Sequence, residues 1–189
     1  MITTSDFKKG LRILIDGDPY TILECIVQTP SARGASSLAK IKARNLRTGQ
    51  VFDKTIRTGE KFDEPDLERR PLQYLYNDGE NLVFMDQGTY DQVMVTPEEL
   101  GDDAQYLFEN MELKALFFEG RILELELPAA LEYEIVDVEP GTRGDTAHGG
   151  VTKPAVLSNG MKVQVPLFVK QGERIRVSTR DGKFVERVR

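Results

Sequence analysis

Six dipeptides ending in glycine punctuate this chain: Asp16-Gly17, Asp78-Gly79, Glu119-Gly120, Asn159-Gly160, Gln171-Gly172 and Asp181-Gly182. Each stands between short runs rich in β-forming residues, the pattern of hairpin turns. Turns at that spacing call for an all-β chain. Residues 1–57 hold about five such runs, beginning with LRILIDGDPYTILE, and strands that short and that many close into a small barrel to remove exposed edges. TGEKFDEPD (58–66) is polar, contains proline and reads as a linker. Beyond it come LQYLYND, NLVFMD, TYDQVMV and KALFFEGRILELELP. One short helix is predicted over TPEELGDDAQYLF, with Thr96 as N-cap, Pro97 at the first position and glutamates in the first turn. Pro128 and the alanines after it mark a second boundary. LEYEIVDV, AVLS, MKVQVPLFV, ERIRVSTR and KFVERV then follow, with a long Gly/Pro/Thr-rich loop at 139–154. The expectation is three β-barrel-like domains in tandem, 1–65, 66–128 and 129–189.

Charge is divided along the same lines. The formal net charge is −6, which argues against a nucleic-acid partner until it is partitioned. Residues 1–57 carry 10 Lys and Arg against 5 Asp and Glu, residues 58–128 carry 5 against 18, and residues 129–189 carry 10 against 8. Two basic ends flank an acidic middle, and the ends are the expected polyanion sites. A single cysteine, Cys25, gives no disulfide framework, and no apolar run is long enough to span a bilayer. A cytoplasmic protein is expected.

Catalytic patterns are missing from the sequence. One histidine and one cysteine do not make a zinc site of the usual kind. There is no GxxxxGK, no GxGxxG leading into a helix and no GxSxG. Glu124 and Glu126 share a strand face and could form an acid/base pair, but alternation in LELELP fits a half-buried strand with a solvated outer face better. Neither a metal nor a cofactor is expected, and the chain is read as a non-enzyme.

The residues that stand out lie around TPSARGASSL (29–38), where Arg33 is the one charged side chain among small residues. TILECIVQ precedes this loop and LAKIKAR follows it, so the loop is the tip of a hairpin with Arg33 at or near its end. In LAKIKAR, Ala39, Ile41 and Ala43 face one way while Lys40, Lys42 and Arg44 face the other. With Arg33, Arg47, Lys54 and Arg57, seven basic residues stand in 33–57 against one acid, Asp53. Such a stripe suits a polyanion, and the scarcity of aromatic residues favours phosphate and sugar contact over base stacking. On the residues alone, a general structured-RNA-binding β-barrel protein is an open alternative to any narrower reading.

KPAVLSNGMKVQVPLFVKQG (153–172) resembles the C-terminal signature of the bacterial elongation factor P family. The likeness extends to EIVDVEPGTRGDTAHGG (134–150), to YLYNDGENLVFMD (74–86) and to the hairpin. The resemblance implies an SH3-like N-terminal barrel of the KOW type, then a central and a C-terminal OB-type barrel, in an elongated outline like that of transfer RNA. It also implies a ribosome-binding translation elongation factor that stabilises peptidyl-tRNA between the P and E sites and stimulates peptide-bond formation at polyproline stalls. Arg33, with Ser31, Ala32, Gly34 and Ala35, would form the tip that meets peptidyl-tRNA. Lys40, Lys42 and Arg44 would form an RNA-binding face. Gly144, Asp145, Thr146, Gly149 and Gly150 match the family's loop toward the E-site mRNA codon, and Arg187 and Arg189 are read as further RNA contacts. The implied partners are the 70S ribosome, with its rRNA and proteins, and peptidyl-tRNA, met by a monomer. Many family members carry a modified lysine at the tip, and another branch a rhamnosylated arginine flanked by glycine and asparagine. Ala32 and Gly34 flank Arg33 instead, and the loop is similar to that of the elongation factor P-like paralogues, whose arginine works bare. Modification of Arg33 by an arginine-modifying enzyme is left open, with the unmodified side chain preferred.

Overall fold

The computed structural model describes residues 1–29, 37–140 and 151–189. Almost all regular structure is β. Strand β1 (Ile2–Thr3) precedes an antiparallel meander of β2 (Arg12–Ile15), β3 (Asp18–Gln28), β4 (Leu38–Asn45) and β5 (Val51–Arg57), which are neighbours in that order. Asp16 and Gly17 join β2 to β3 with φ of 53° and 86°, the double positive φ of the two-residue turn that suits strand twist. The predicted inward set of β4 is buried: Ala39 and Ala43 are 0% exposed and Ile41 is 1% exposed. Ile13, Ile15, Ile22 and Ile56 complete that core, and Phe7, Tyr20 and Phe52 pack against it. Burying each of these isoleucines contributes about 1.5–3 kcal/mol.

The segment read as a linker is part of this barrel. Strand β6 (Lys61–Phe62) pairs with β1, Ile2 opposite Phe62 and Thr3 opposite Lys61. Phe62 is 8% exposed and its ring lies 5.5 Å from that of Phe7. One apolar side chain anchors nine otherwise polar residues, which is too weak a pattern for sequence periodicity to register.

The central strands are β7 (Leu67–Asn77), β8 (Leu82–Asp86), β9 (Gln92–Val95), β10 (Glu112–Phe118) and β11 (Arg121–Glu126), ordered β11-β10-β7-β8-β9. Helix α1 (Pro97–Leu100) follows β9. Its capping box is present, with the Glu99 N–H donating to Thr96 Oγ1 and the Thr96 N–H donating to the Glu99 carboxylate at 2.9 Å. The predicted helix over 96–108 is broken, because Gly101 takes φ of 60° and the chain continues as a 3-10 helix over Gly101–Tyr106.

The last strands are β12 (Ala130–Val138), β13 (Thr152–Leu157), β14 (Lys162–Pro166), β15 (Arg174–Ser178) and β16 (Phe184–Arg187), ordered β14-β13-β12-β15-β16. Strand β13 begins inside the stretch expected to be loop, because Thr152 and Lys153 already pair with Pro166 and Val165. Counting strands from one to five within each of these two groups, both sheets read 3-2-1-4-5 when taken from the third strand. The first strand lies at the centre, as an OB-type barrel requires. Helix α1 sits between the third and fourth strands of its group. The fold is an SH3-like barrel followed by two OB-type barrels.

Cα proximity divides the described chain into two compact units, 1–69 with 116–124, and 70–115 with 125–189. The tip of the β10–β11 hairpin therefore belongs to the first unit.

Candidate nucleic-acid interface

The outer face of the N-terminal meander is set by register. Strand β4 lies between β3 and β5, and a bulge between Ile22 and Glu24 realigns β3 so that its even-numbered residues face outward beyond it. Four rows result. At the end nearest the loop, Leu38 stands between Gln28 and Arg57; next, Lys40 stands between Ile26 and Thr55; then Lys42 stands between Glu24 and Asp53; and last, Arg44 stands between Thr21 and Val51.

Lys40, Lys42 and Arg44 are all exposed, as the alternation predicts. Their surroundings differ. Lys42 has a carboxylate opposite it on both neighbouring strands, so its row carries a net charge of −1, while each of the other three rows carries +1. Residues directly opposite on antiparallel strands have Cβ atoms about 5 Å apart, close enough for such charges to offset one another. The cationic ladder is thus interrupted in its middle and is strongest toward the loop, at Lys40 and Arg57. A shallow groove of about 400 Å³ runs between Glu24, Ile26, Lys40, Lys42 and Asp53.

Two cations assigned to the stripe face elsewhere. Asn45 accepts from the Arg47 and Thr48 N–H groups at 2.7 and 3.0 Å, closing a tight turn. That turn aims Arg47 at Asp18 (3.1 Å) and Glu119 (2.7 Å), with its guanidinium 5.2 Å from the centre of the Phe118 ring. Lys54 lies 4.0 Å from Asp16 at the far end of the barrel. Sequence counting missed this because the turn at Asn45 redirects Arg47, while Lys54, opposite Ile41, alternates out of phase with the outer face. It missed Glu24 as well, which lies before the loop and reaches Lys42 only through the pairing of β3 with β4.

The hairpin stem carries exposed apolar side chains near the loop: Ile26 is 51%, Val27 54% and Leu38 39% exposed. The stem is fastened, since both the N–H and the Oγ1 of Thr58 donate to the Ser37 carbonyl at 3.0 Å. Ser31, Ala32, Arg33, Gly34 and Ala35 lie outside the described residues, as do Gly144, Asp145, Thr146, Gly149 and Gly150.

At the C-terminus, Arg187 is exposed and paired. It meets Glu173 at 3.1 Å and lies 5.4 Å from the Phe168 ring centre. The Glu173 carboxyl is held below its usual range, chiefly by the Lys170 N–H and then by Arg187. Glu124 of the suggested carboxylate pair lies 3.9 Å from Arg12. Among the described residues no group of three or more His, Cys, Asp and Glu side chains is placed to hold a metal ion.

The fold and this face define a small β-barrel with spaced cations on its outer sheet and exposed apolar side chains on its hairpin stem, followed by two OB-type barrels. Comparison with known proteins narrows this. Residues 3–62 match the Elongation factor P (EF-P) KOW-like domain, 67–125 the Elongation factor P (EF-P) OB domain, and 131–187 the Elongation factor P, C-terminal model. Proteins named Elongation factor P from Moorella thermoacetica and Pelotomaculum thermopropionicum are each 45% identical, over 99% and 100% of this chain respectively and 100% of their own. The protein of that name from Synechocystis sp. is 42% identical over 99% of this chain and 98% of its own. A solved structure titled eukaryotic translation initiation factor 5A from Methanococcus jannaschii superposes with a TM-score of 0.52 at 23% identity, covering 66% of this chain and 94% of that one. The chain belongs to the elongation factor P family.

Proposed function

We propose that this protein is a cytoplasmic, monomeric translation elongation factor that binds the 70S ribosome beside peptidyl-tRNA, between the P and E sites, and accelerates peptide-bond formation where consecutive prolines stall it. The observation that carries the reading is full-length similarity at 45% identity to proteins named Elongation factor P. The N-terminal face adds a physical rationale, with net positive rows toward the loop that bears Arg33.

Proline reacts poorly in peptide transfer because its ring fixes φ and its nitrogen is secondary. The factor supplies no reacting group. Its contribution is to hold the peptidyl-tRNA end in a reactive pose, which removes conformational freedom before the chemical step. In this reading Arg33 is the contacting group, works unmodified, and uses its planar fork on phosphate and ribose oxygens. Ser31, Ala32, Gly34 and Ala35 add only small side chains beside it. Lys40, Arg44 and Arg57 follow the RNA backbone, with Lys42 subordinate. The loop at Gly144, Asp145, Thr146, Gly149 and Gly150 approaches the E-site codon, and Arg189 adds a contact near the C-terminus. The three domains are 1–65, 66–128 and 129–189.

Co-sedimentation tests the reading against that of a general structured-RNA binder. The protein should pellet with 70S particles that carry peptidyl-tRNA and a vacant E site, and an unrelated duplex RNA in excess should not displace it. Displacement by that duplex, or failure to pellet, would contradict it.

A further inference from the structure

The second unit contains a cleft of about 600 Å³ that the RNA-facing surfaces do not use. Its lining includes Tyr74 and Tyr76 from β7, Phe108 from the turn after the 3-10 helix, and Tyr133 from β12. Tyr74 and Tyr133 are the floor, at 7% and 2% exposed. Tyr133 donates its hydroxyl proton to the Tyr106 carbonyl, and the Phe108 ring packs edge-on against it at 5.8 Å. The Tyr74 N–H donates to the Met111 carbonyl and the Asn110 N–H to the Tyr74 carbonyl, each at 2.8 Å, which fixes the 108–111 turn against β7. Above this fixed floor, Tyr76 is 46% and Phe108 37% exposed.

Three carboxylates, Glu109, Glu132 and Glu134, share the lining with one guanidinium, Arg174. Glu132 is already engaged, by Arg176 at 3.0 Å and Arg174 at 3.9 Å. Glu134 stands directly opposite Arg174 where β12 pairs with β15, which offsets its charge, whereas among the described residues Glu109 has no ion-pair partner within 4 Å. Glu109 acts on the aromatic floor, since its charge adds to burial in pushing the Tyr74 phenol up.

We propose that this cleft is a docking site for a basic segment of a protein partner, whose arginine or lysine side chain lies against Tyr76 and Phe108 and ends at Glu109. Exposed aromatic rings and an uncompensated carboxylate attract the same guest, a cation. Both repel phosphate, and the lining itself carries three carboxylates against one guanidinium. Aromatic rings in a concave, fixed setting are also the residue type that dominates protein–protein contacts. The proposal depends on the ribosomal reading only for where the partner is met, as a basic segment of a ribosomal protein.

The test uses the full-length ¹⁵N-labelled protein and a blocked heptapeptide, Gly-Arg-Gly-Lys-Gly-Arg-Gly, with a glutamine-substituted control. The basic peptide should shift amide signals of residues 74–77, 107–109 and 132–134, and the control should not. Tyr76→Ala and Glu109→Gln should each weaken binding about tenfold while leaving the rest of the spectrum in place. Shifts scattered over the acidic surface and unchanged in the variants would overturn the proposal. So would equal binding by free spermidine, or displacement of the peptide by a single-stranded oligonucleotide. Ribosome co-sedimentation of the same variants is read separately: peptide binding that survives a failed co-sedimentation upholds the cleft and removes the ribosome.

Discussion

The charge pattern on the N-terminal face makes its three strand-β4 cations unequal, although the sequence presents them as a uniform set. Lys40 and Arg57 each stand in a row of net +1, whereas Glu24 and Asp53 leave the Lys42 row at −1. A phosphate about 5 Å from each of those carboxylates meets a repulsion of about 0.8 kcal/mol from each in a water-like dielectric. Together these offset the attraction that Lys42 offers at similar range. A lysine that does contact phosphate contributes about one unit to the salt slope of binding. Lys40→Ala and Arg57→Ala should therefore each flatten the dependence of log K on log salt by about one unit and weaken ribosome binding several-fold at low salt. Lys42→Ala should change both little, and Glu24→Gln with Asp53→Asn should tighten binding. All these side chains are exposed, so the fold should not change. The assay is equilibrium binding of N-terminally labelled protein to 70S ribosomes across about 50–200 mM salt. Equal losses from Lys40→Ala and Lys42→Ala would refute the register argument.

Arg47, by contrast, should act on stability. Its contacts to Asp18, Glu119 and Phe118 are exposed ones, each contributing up to about 1 kcal/mol, so Arg47→Ala should cost about 1–2 kcal/mol in denaturant unfolding. A double-mutant cycle with Glu119→Ala should return a coupling of about 0.5 kcal/mol that shrinks with salt; zero coupling at low salt would exclude the contact. Burial raises the phenols of Tyr74, Tyr106 and Tyr133, most strongly Tyr133. The folded state then holds protons that the unfolded state releases near pH 10, so stability present below about pH 10 is lost as pH rises further. Thermal unfolding followed from pH 8 to 11 should show that decline, and Tyr133→Phe should make it shallower while costing about 1–3 kcal/mol at neutral pH, because the Tyr106 carbonyl loses its partner.

Local chemistry made much of this fold legible. Alternation in LAKIKAR assigned the buried and exposed faces of β4 correctly, because one face of that strand is packed and a shift of one residue would invert it. The glycine turns were legible because positive φ is costly elsewhere. What escaped was long-range. Phe62 joins the barrel by pairing with Ile2, sixty residues away, and no local pattern announces that. Glu24 offsets Lys42 only because a bulge in β3 resets the register. Arg47 and Lys54 look like members of a stripe until the turn at Asn45 and the phase of β5 direct them elsewhere.

The most direct measurement of the central claim is the rate of tripeptide formation from a dipeptidyl-tRNA on ribosomes programmed for Pro-Pro-Pro, with unmodified recombinant protein and its Arg33→Ala variant. The account predicts acceleration by the unmodified protein and loss of that acceleration with Arg33→Ala, while a message without consecutive prolines is unaffected by either. Acceleration that persists in Arg33→Ala, or no acceleration by a protein that binds the ribosome normally, would contradict it.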